Sequence, residues 1–134
     1  MPLARFLTFL ILLVIHHKSF FAQIQHSAEI PFDSKKNIDV VSLFEDSLCS
    51  SFAIQIKTNV LPHKHAQHSE HVYVVSGFGE MVLGTDTFKI ASGDLIFIPK
   101  NTVHAVKSIG ASVLKVISIQ SPRFDGTDRI LTKP

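Results

Sequence analysis

Residues 63–77 read HKHAQHSEHVYVVSG: four histidines and a glutamate stand in front of a short apolar run that ends on a glycine. Half of the chain's eight histidines fall within nine positions here. In an extended strand the side chains at i and i+2 share a face, so His63 and His65 project together while Lys64 points away. Residues 66–69, AQHS, are small or polar and suit a turn. The chain resumes at Glu70, whose carboxylate lies beside the two histidines if the flanking strands pair. A fourth donor is expected from His104, which opens a later strand just after the Pro99-Lys100-Asn101 turn and has no other evident reason to stand amid Val103, Ala105 and Val106. His68 falls in the connecting loop and His71 alternates to the face opposite Glu70, so both are expected to lie away from a shared ion.

Outward from this stretch, the chain from Ile38 onward alternates short apolar runs with Gly, Pro, Asn and Asp, the pattern of an all-β domain. Candidate strands are 52–58, 61–65, 70–76, 79–83, 87–90, 94–98, 103–109 and 113–120, and eight short strands suggest a sandwich or small barrel. Gly84-Thr85-Asp86, Ser92-Gly93 and Gly110-Ala111-Ser112 suit tight turns, so neighbouring strands are expected to run antiparallel. A single helical turn over Ser42–Ser47 is compatible with the pattern. Phe78, Met81, Phe88 and Phe97 are read as core residues. The polar, turn-rich segment 121–129, SPRFDGTDR, reads first as a solvated tail and second as a strap across a barrel mouth or onto a partner. In the second reading Arg123 and Arg129 would greet an anionic ligand.

With these residues in view, the stretch H-x-H-x4-E-x6-G, given by His63, His65, Glu70 and Gly77, resembles the first motif of the cupin superfamily. Gly93-x5-Pro99 followed five residues later by His104 resembles the second, and the fifteen-residue spacing between Gly77 and Gly93 is similar to that of small, single-domain bacterial cupins. Three positions depart from the pattern: Lys57 and Asn101 stand where glycines are usual, and Ser108 replaces a terminal asparagine. None removes a ligand, and Asn tolerates a left-handed backbone better than most residues, so the turn at Asn101 is expected to form. The resemblance implies a double-stranded β-helix, or jelly-roll barrel, holding one divalent metal ion through His63, His65, Glu70 and His104. Three imidazoles and a carboxylate suit Mn, Fe, Co, Ni, Cu or Zn, and octahedral geometry leaves two positions open.

Composition bounds what surrounds this site. A chain of 134 residues, 46% hydrophobic, has room for one packed domain. Residues 1–22 carry one early basic residue, Arg5, then the apolar run 6–15, interrupted only by Thr8, which as a helix would rise only about 15 Å, half a bilayer core. That is the layout of a secretory signal peptide, with a membrane anchor as the weaker reading. The expected order is a signal peptide over 1–22, an N-terminal arm over 23–37, the β-barrel over 38–121 and a C-terminal tail over 122–134. Without residues 1–22 the chain keeps eleven basic and eleven acidic residues, which leaves no electrostatic footprint for nucleic acid or anionic lipid. Cys49 is the only cysteine and has no partner within the chain; it is read as small filler.

The expected product is therefore an exported cupin, periplasmic or secreted, acting on a small organic molecule. Val72, Val74 and Val106 share the ligand face, so the cavity is expected to be apolar apart from the metal. Chemistry would then rest on the ion, its bound water and Glu70, which serves as ligand and as a candidate acid or base. Dioxygenase-type turnover is the leading expectation, with isomerisation open to a redox-silent ion. The alternative is a module that binds a metal, carboxylate or sugar without turnover. A homodimer paired through sheet edges is also expected.

Overall fold

Inward and outward positions alternate along every central strand, and in the computed structural model, which describes residues 22–132, that alternation closes two sheets face to face. The ten strands are β1 (Ile38–Glu45), β2 (Ser50–Ile56), β3 (Asn59–Lys64), β4 (Ser69–Ser76), β5 (Phe78–Leu83), β6 (Asp86–Ala91), β7 (Leu95–Ile98), β8 (His104–Ile109), β9 (Leu114–Ser121) and β10 (Ile130–Leu131). The first sheet has the order β1-β2-β9-β4-β7 and the second β10-β3-β8-β5-β6. Every pairing is antiparallel. The expected all-β jelly roll is the observed architecture. The expected signal peptide falls on residues outside those described, except for Ala22.

Ile56, Val72, Val74, Met81, Ile90, Ile98, Leu114 and Val116 form one buried cluster between the sheets. Each such side chain contributes about 1.5–3 kcal/mol by leaving water. The inner faces then change character along their length. On β9 the inward series runs Leu114, Val116, Ser118, Gln120, and on β4 it runs Val74, Val72, Glu70. Register aligns these series, with Val74 opposite Val116, Val72 opposite Ser118 and Glu70 opposite Gln120. One end of the barrel is thus sealed by hydrocarbon and the other is lined by polar groups.

Two backbone positions hold the ends in place, Gly77 at the hydrocarbon end and Asn101 at the polar one. Gly77 has φ +85°, and a Cβ there would sit 2.6 Å from the Val113 carbonyl oxygen, so only glycine lets β4 pass this close to β9. Asn101 adopts the left-handed conformation anticipated for it, φ 61°, and its N–H donates to the His65 carbonyl at 2.6 Å. That bond ties the loop before β8 to the end of β3.

Two expectations fail. Ser42–Ser47 is no helical turn: β1 continues to Glu45 through a bulge between Ser42 and Phe44, and the chain turns where the Asp46 carboxylate accepts the Leu48 and Cys49 amides at 2.7 and 2.9 Å. Phe78, Phe88 and Phe97 are not core but 56%, 50% and 52% exposed. For Phe78 and Phe97 alternation is the reason: Gly79 takes the inner face of β5 and Ile98 that of β7, which turns their phenylalanine neighbours outward. Phe88 shares its face with Ile90 and pairs with Met81, but β6 is the edge strand of its sheet and leaves the ring uncovered.

Candidate metal centre

Strands from both sheets deliver the anticipated donors to the polar end of the barrel. His63 lies on β3 opposite His104 on β8, His65 follows β3 directly, and Glu70 reaches in from β4 on the other sheet. All four are at least nine-tenths buried. A ring nitrogen from each of His63, His65 and His104 lies within 4.8 Å of those of the other two. Glu70 Oε2 is 3.5 Å from His65 Nε2 and 3.4 Å from His104 Nε2.

The backbone dictates how the rings are protonated. His63 Nδ1 is 2.8 Å from the Leu61 carbonyl, His104 Nδ1 is 3.0 Å from that of Thr102, and His65 Nδ1 bonds the carbonyl of Asp128. A carbonyl can only accept, so each Nδ1 carries a proton, and a ring in its neutral form turns the lone pair of Nε2 inward. His104 Nε2 approaches Glu70 without a hydrogen bond and, among the described residues, has no other partner, although it is fully buried.

Electrostatics describe the same unmet need for positive charge. Burial alone would raise the Glu70 pKa, but His104, His65 and Ser118, whose Oγ donates to Glu70 Oε1, hold it well below the usual carboxylate range. Burial, reinforced by the nearby His104, pushes His63 down to about 4, so this ring is neutral at pH 7. Burial also works against charge on His65, yet its hydrogen bonds to Glu70 and to the Asp128 carbonyl raise it above the ordinary imidazole value. Inward-facing lone pairs beside an ionised carboxylate repel unless a cation lies among them. A proton on His65 meets part of that need, and the donor set of three imidazole nitrogens and one carboxylate oxygen fits a first-row divalent metal.

Above the donors lies a cavity of about 280 Å³. Its walls are apolar, with Phe52, Ile54, Val72, Met81 and Val106 prominent, while Gln120, Phe124 and Arg129 stand among the remaining lining residues.

His71 is exposed on the outer face beside Phe97, as expected. His68, expected to lie away, is only 2% exposed and forms with His65 and Asp128 a second buried group whose potential ligand atoms lie within 4.8 Å of one another. Its Nδ1 is 2.8 Å from Asp128 Oδ2, and its ring lies 4.1 Å from that of His65. The segment read first as a solvated tail therefore crosses the mouth. The Asp128 carboxylate accepts the amides of Ala66, Gln67 and His68 at 2.9, 2.7 and 3.2 Å, and Ile130 and Leu131 pair with Lys64 and His63. Arg123 instead forms an exposed pair with Glu45, 3.1 Å apart.

Sequence reasoning missed Ser118, Gln120 and Asp128. Polar residues continuing the inward period of Leu114 and Val116 were a signal for the first two. Asp128 carried none, because no period runs through its segment.

Comparison with known proteins agrees with this fold. The family model described as "Cupin domain" matches residues 51–120. A protein of Aquifex aeolicus is 36% identical over 97 residues, covering 72% of this chain and 79% of its own length. The mannose-1-phosphate guanylyltransferase RfbM of Salmonella typhimurium is 37% identical over 67 residues, which cover 50% of this chain but 14% of that much longer protein. Among solved structures, a Streptomyces PAC13 variant with uridine superposes with a TM-score of 0.65 at 20% identity, covering 72% of this chain and 79% of that one. With the family match spanning more than half of its residues, the chain belongs to the cupin family.

Proposed function

We propose that the chain binds one divalent transition-metal ion through His63, His65, Glu70 and His104 and uses it on a small organic molecule held in the apolar cavity, with dioxygenase-type turnover. The observation that carries this reading is the clustering of three buried imidazoles oriented by backbone carbonyls, with the ionised Glu70 carboxylate beside two of them. When bound, such an ion supplies Lewis acidity and, if redox-active, access to O₂ chemistry. The chain's own residues do the rest. Carbonyls of Leu61, Thr102 and Asp128 fix the imidazoles, Ser118 orients Glu70, and the hydrocarbon walls exclude bulk water from the ligand. Glu70 is a weak base while it faces His65 and His104, so proton transfer by it requires the carboxylate to swing away from them.

Elemental analysis of the native protein tests the metal: one ion per chain is expected, falling to a small fraction in His104→Ala with the fold retained by circular dichroism. O₂ uptake with enol or phenol substrates tests turnover. The scarcity of acid or base groups on the cavity wall favours a second reading, a module that captures its ligand unchanged; melting shifts without product would select it. Uridine in a PAC13 variant supports a small-molecule ligand in either case.

Two further readings belong to the same proposal. The apolar run 6–15 behind Arg5 supports export to the periplasm or exterior, which N-terminal sequencing of the mature protein checks. Tyr73, Leu95, Phe97 and Ile119, all exposed on neighbouring strands of the first sheet, support a homodimer, which light scattering checks.

A further inference from the structure

Two polar groups lining the cavity take no part in the donor set. Gln120 follows Ser118 on the inner face of β9 and is 7% exposed. Ser118 Oγ donates its only proton to the Glu70 carboxylate, so toward Gln120 it can only accept. Gln120 Nε2 lies 3.2 Å from that oxygen. The amide is thereby oriented: its nitrogen is committed to Ser118, and Oε1 faces the other way. This oxygen is fully buried and, among the described residues, has no hydrogen-bond partner. A bare acceptor in an apolar enclosure is destabilising unless something donates to it.

Arg129 is the second group. It lines the same cavity from the C-terminal segment, and among the described residues it makes no ion pair, whereas Arg123 is taken by Glu45 and Asp128 by the 66–68 amides. Its charge is felt at His63, where it adds to the depression of the imidazole pKa. Beyond the donor set, a cavity with one cationic rim group, one buried acceptor and hydrocarbon elsewhere is selective for a definite chemistry.

We propose that the ligand is a small hydroxy carboxylate with an apolar body, whose hydroxyl donates to Gln120 Oε1, whose carboxylate faces Arg129 and whose hydrocarbon part packs among Phe52, Val72 and Phe124. Gln120 is then the specificity residue of the site. This deepens the proposed function and rests on its reading of the cavity as a ligand site, while being separable from the metal.

Mandelate and phenylacetate differ by a single hydroxyl and serve as probes, titrated calorimetrically into zinc-loaded and metal-free protein. Wild type is expected to prefer mandelate by about tenfold, the value of one net hydrogen bond. In Gln120→Met, which removes the amide at similar volume, that preference collapses toward unity while phenylacetate affinity holds. Arg129→Gln weakens both probes by a similar factor. Any intrinsic preference of zinc for a hydroxy acid is common to wild type and variant, so the ratio between them isolates Gln120. Equal preference in both proteins, or failure of either probe to bind wild type, overturns the assignment. If Gln120→Met does not fold, metal-free wild type decides alone, and equal binding of the two probes there sinks the proposal. Zinc content of the same samples separates the two readings. Full loading without a hydroxyl preference refutes the role of Gln120 and spares the metal centre, and a preference without zinc does the reverse.

Discussion

The two polar segments that flank the barrel look alike in sequence and behave differently. Residues 23–37 contain a short 3-10 turn, Ser27–Glu29, and fasten themselves near their own end: the Asp33 amide and Lys36 Nζ reach Asp39 at 2.7 and 2.8 Å, and Asn37 bonds Thr58. None of those contacts involves a metal-donor candidate. Residues 122–132 instead return to the mouth, where Asp128 grips three successive amides and His65, and Phe124 meets the His68 ring edge-on at 5.1 Å. Polarity of composition thus does not predict detachment. What anchors a segment is a carboxylate placed where consecutive N–H groups have no other acceptor.

The sharpest break of this comparison is to remove each segment in turn. Deleting residues 122–134 takes away the acceptor that orients His65, and metal affinity measured by competition with a chelator should fall about 10–100-fold. Deleting residues 23–34 should leave it unchanged, and a similar loss there would show that both segments support the site.

At the level of single residues, Asp128→Ala strips a charged acceptor from three amides and from His68, and should cost about 2–3 kcal/mol in urea unfolding. Asp33→Ala, its counterpart in the arm, should shift the midpoint far less, because the Asp33 side chain is exposed.

Acidification gives a smaller and more selective effect. Burial, with His65 adding to it, lowers the His68 pKa, so the fold favours its neutral form; that stability is present above the ordinary imidazole value and is lost as pH falls below it. Burial raises the Asp128 carboxyl, but the Gln67 and Ala66 amides outweigh this and lower it, so its contribution persists until pH falls below the ordinary Asp value. His65 is shifted the other way and gains stability from its proton on the acid side, lost as pH rises. Between pH 7 and 5, the exchange protection of the Ala66, Gln67 and His68 amides, taken relative to their intrinsic rates at each pH, should therefore fall while Tm changes little. An equal loss of protection at the Asp33 amide would erase the distinction. The smallest effect is expected from Arg123→Ala, whose pair with Glu45 is half-exposed on both sides; Tm should not move measurably.

Much of this was legible before any coordinates. The i, i+2 pair at His63 and His65, the Glu70 that follows a short turn, and the isolated His104 were readable because strand periodicity is strict where one face is buried. The structure groups the three imidazoles and sets Glu70 beside two of them. Phe78, Phe88 and Phe97 were misread because bulk suggested burial, whereas the strand neighbour decides the face of Phe78 and Phe97, and Phe88 lies on an edge strand that leaves its face uncovered. The role of Asp128 depends on contacts across more than sixty residues with no repeating pattern between, which no local rule carries. Gln120 fell between these cases: its face followed from Leu114 and Val116, but its bare oxygen followed only from knowing which way Ser118 donates.

Glu70 belongs to one sheet, and the three imidazoles come from strands of the other or from the turn that follows them. Any cation seated between them would rivet the two halves of the sandwich at its polar end, where little hydrocarbon holds them shut. Loading would then be felt as resistance to proteolysis and heat far from the mouth, growing with the logarithm of free ion concentration. A chain of this design would report its own metal status through its lifetime.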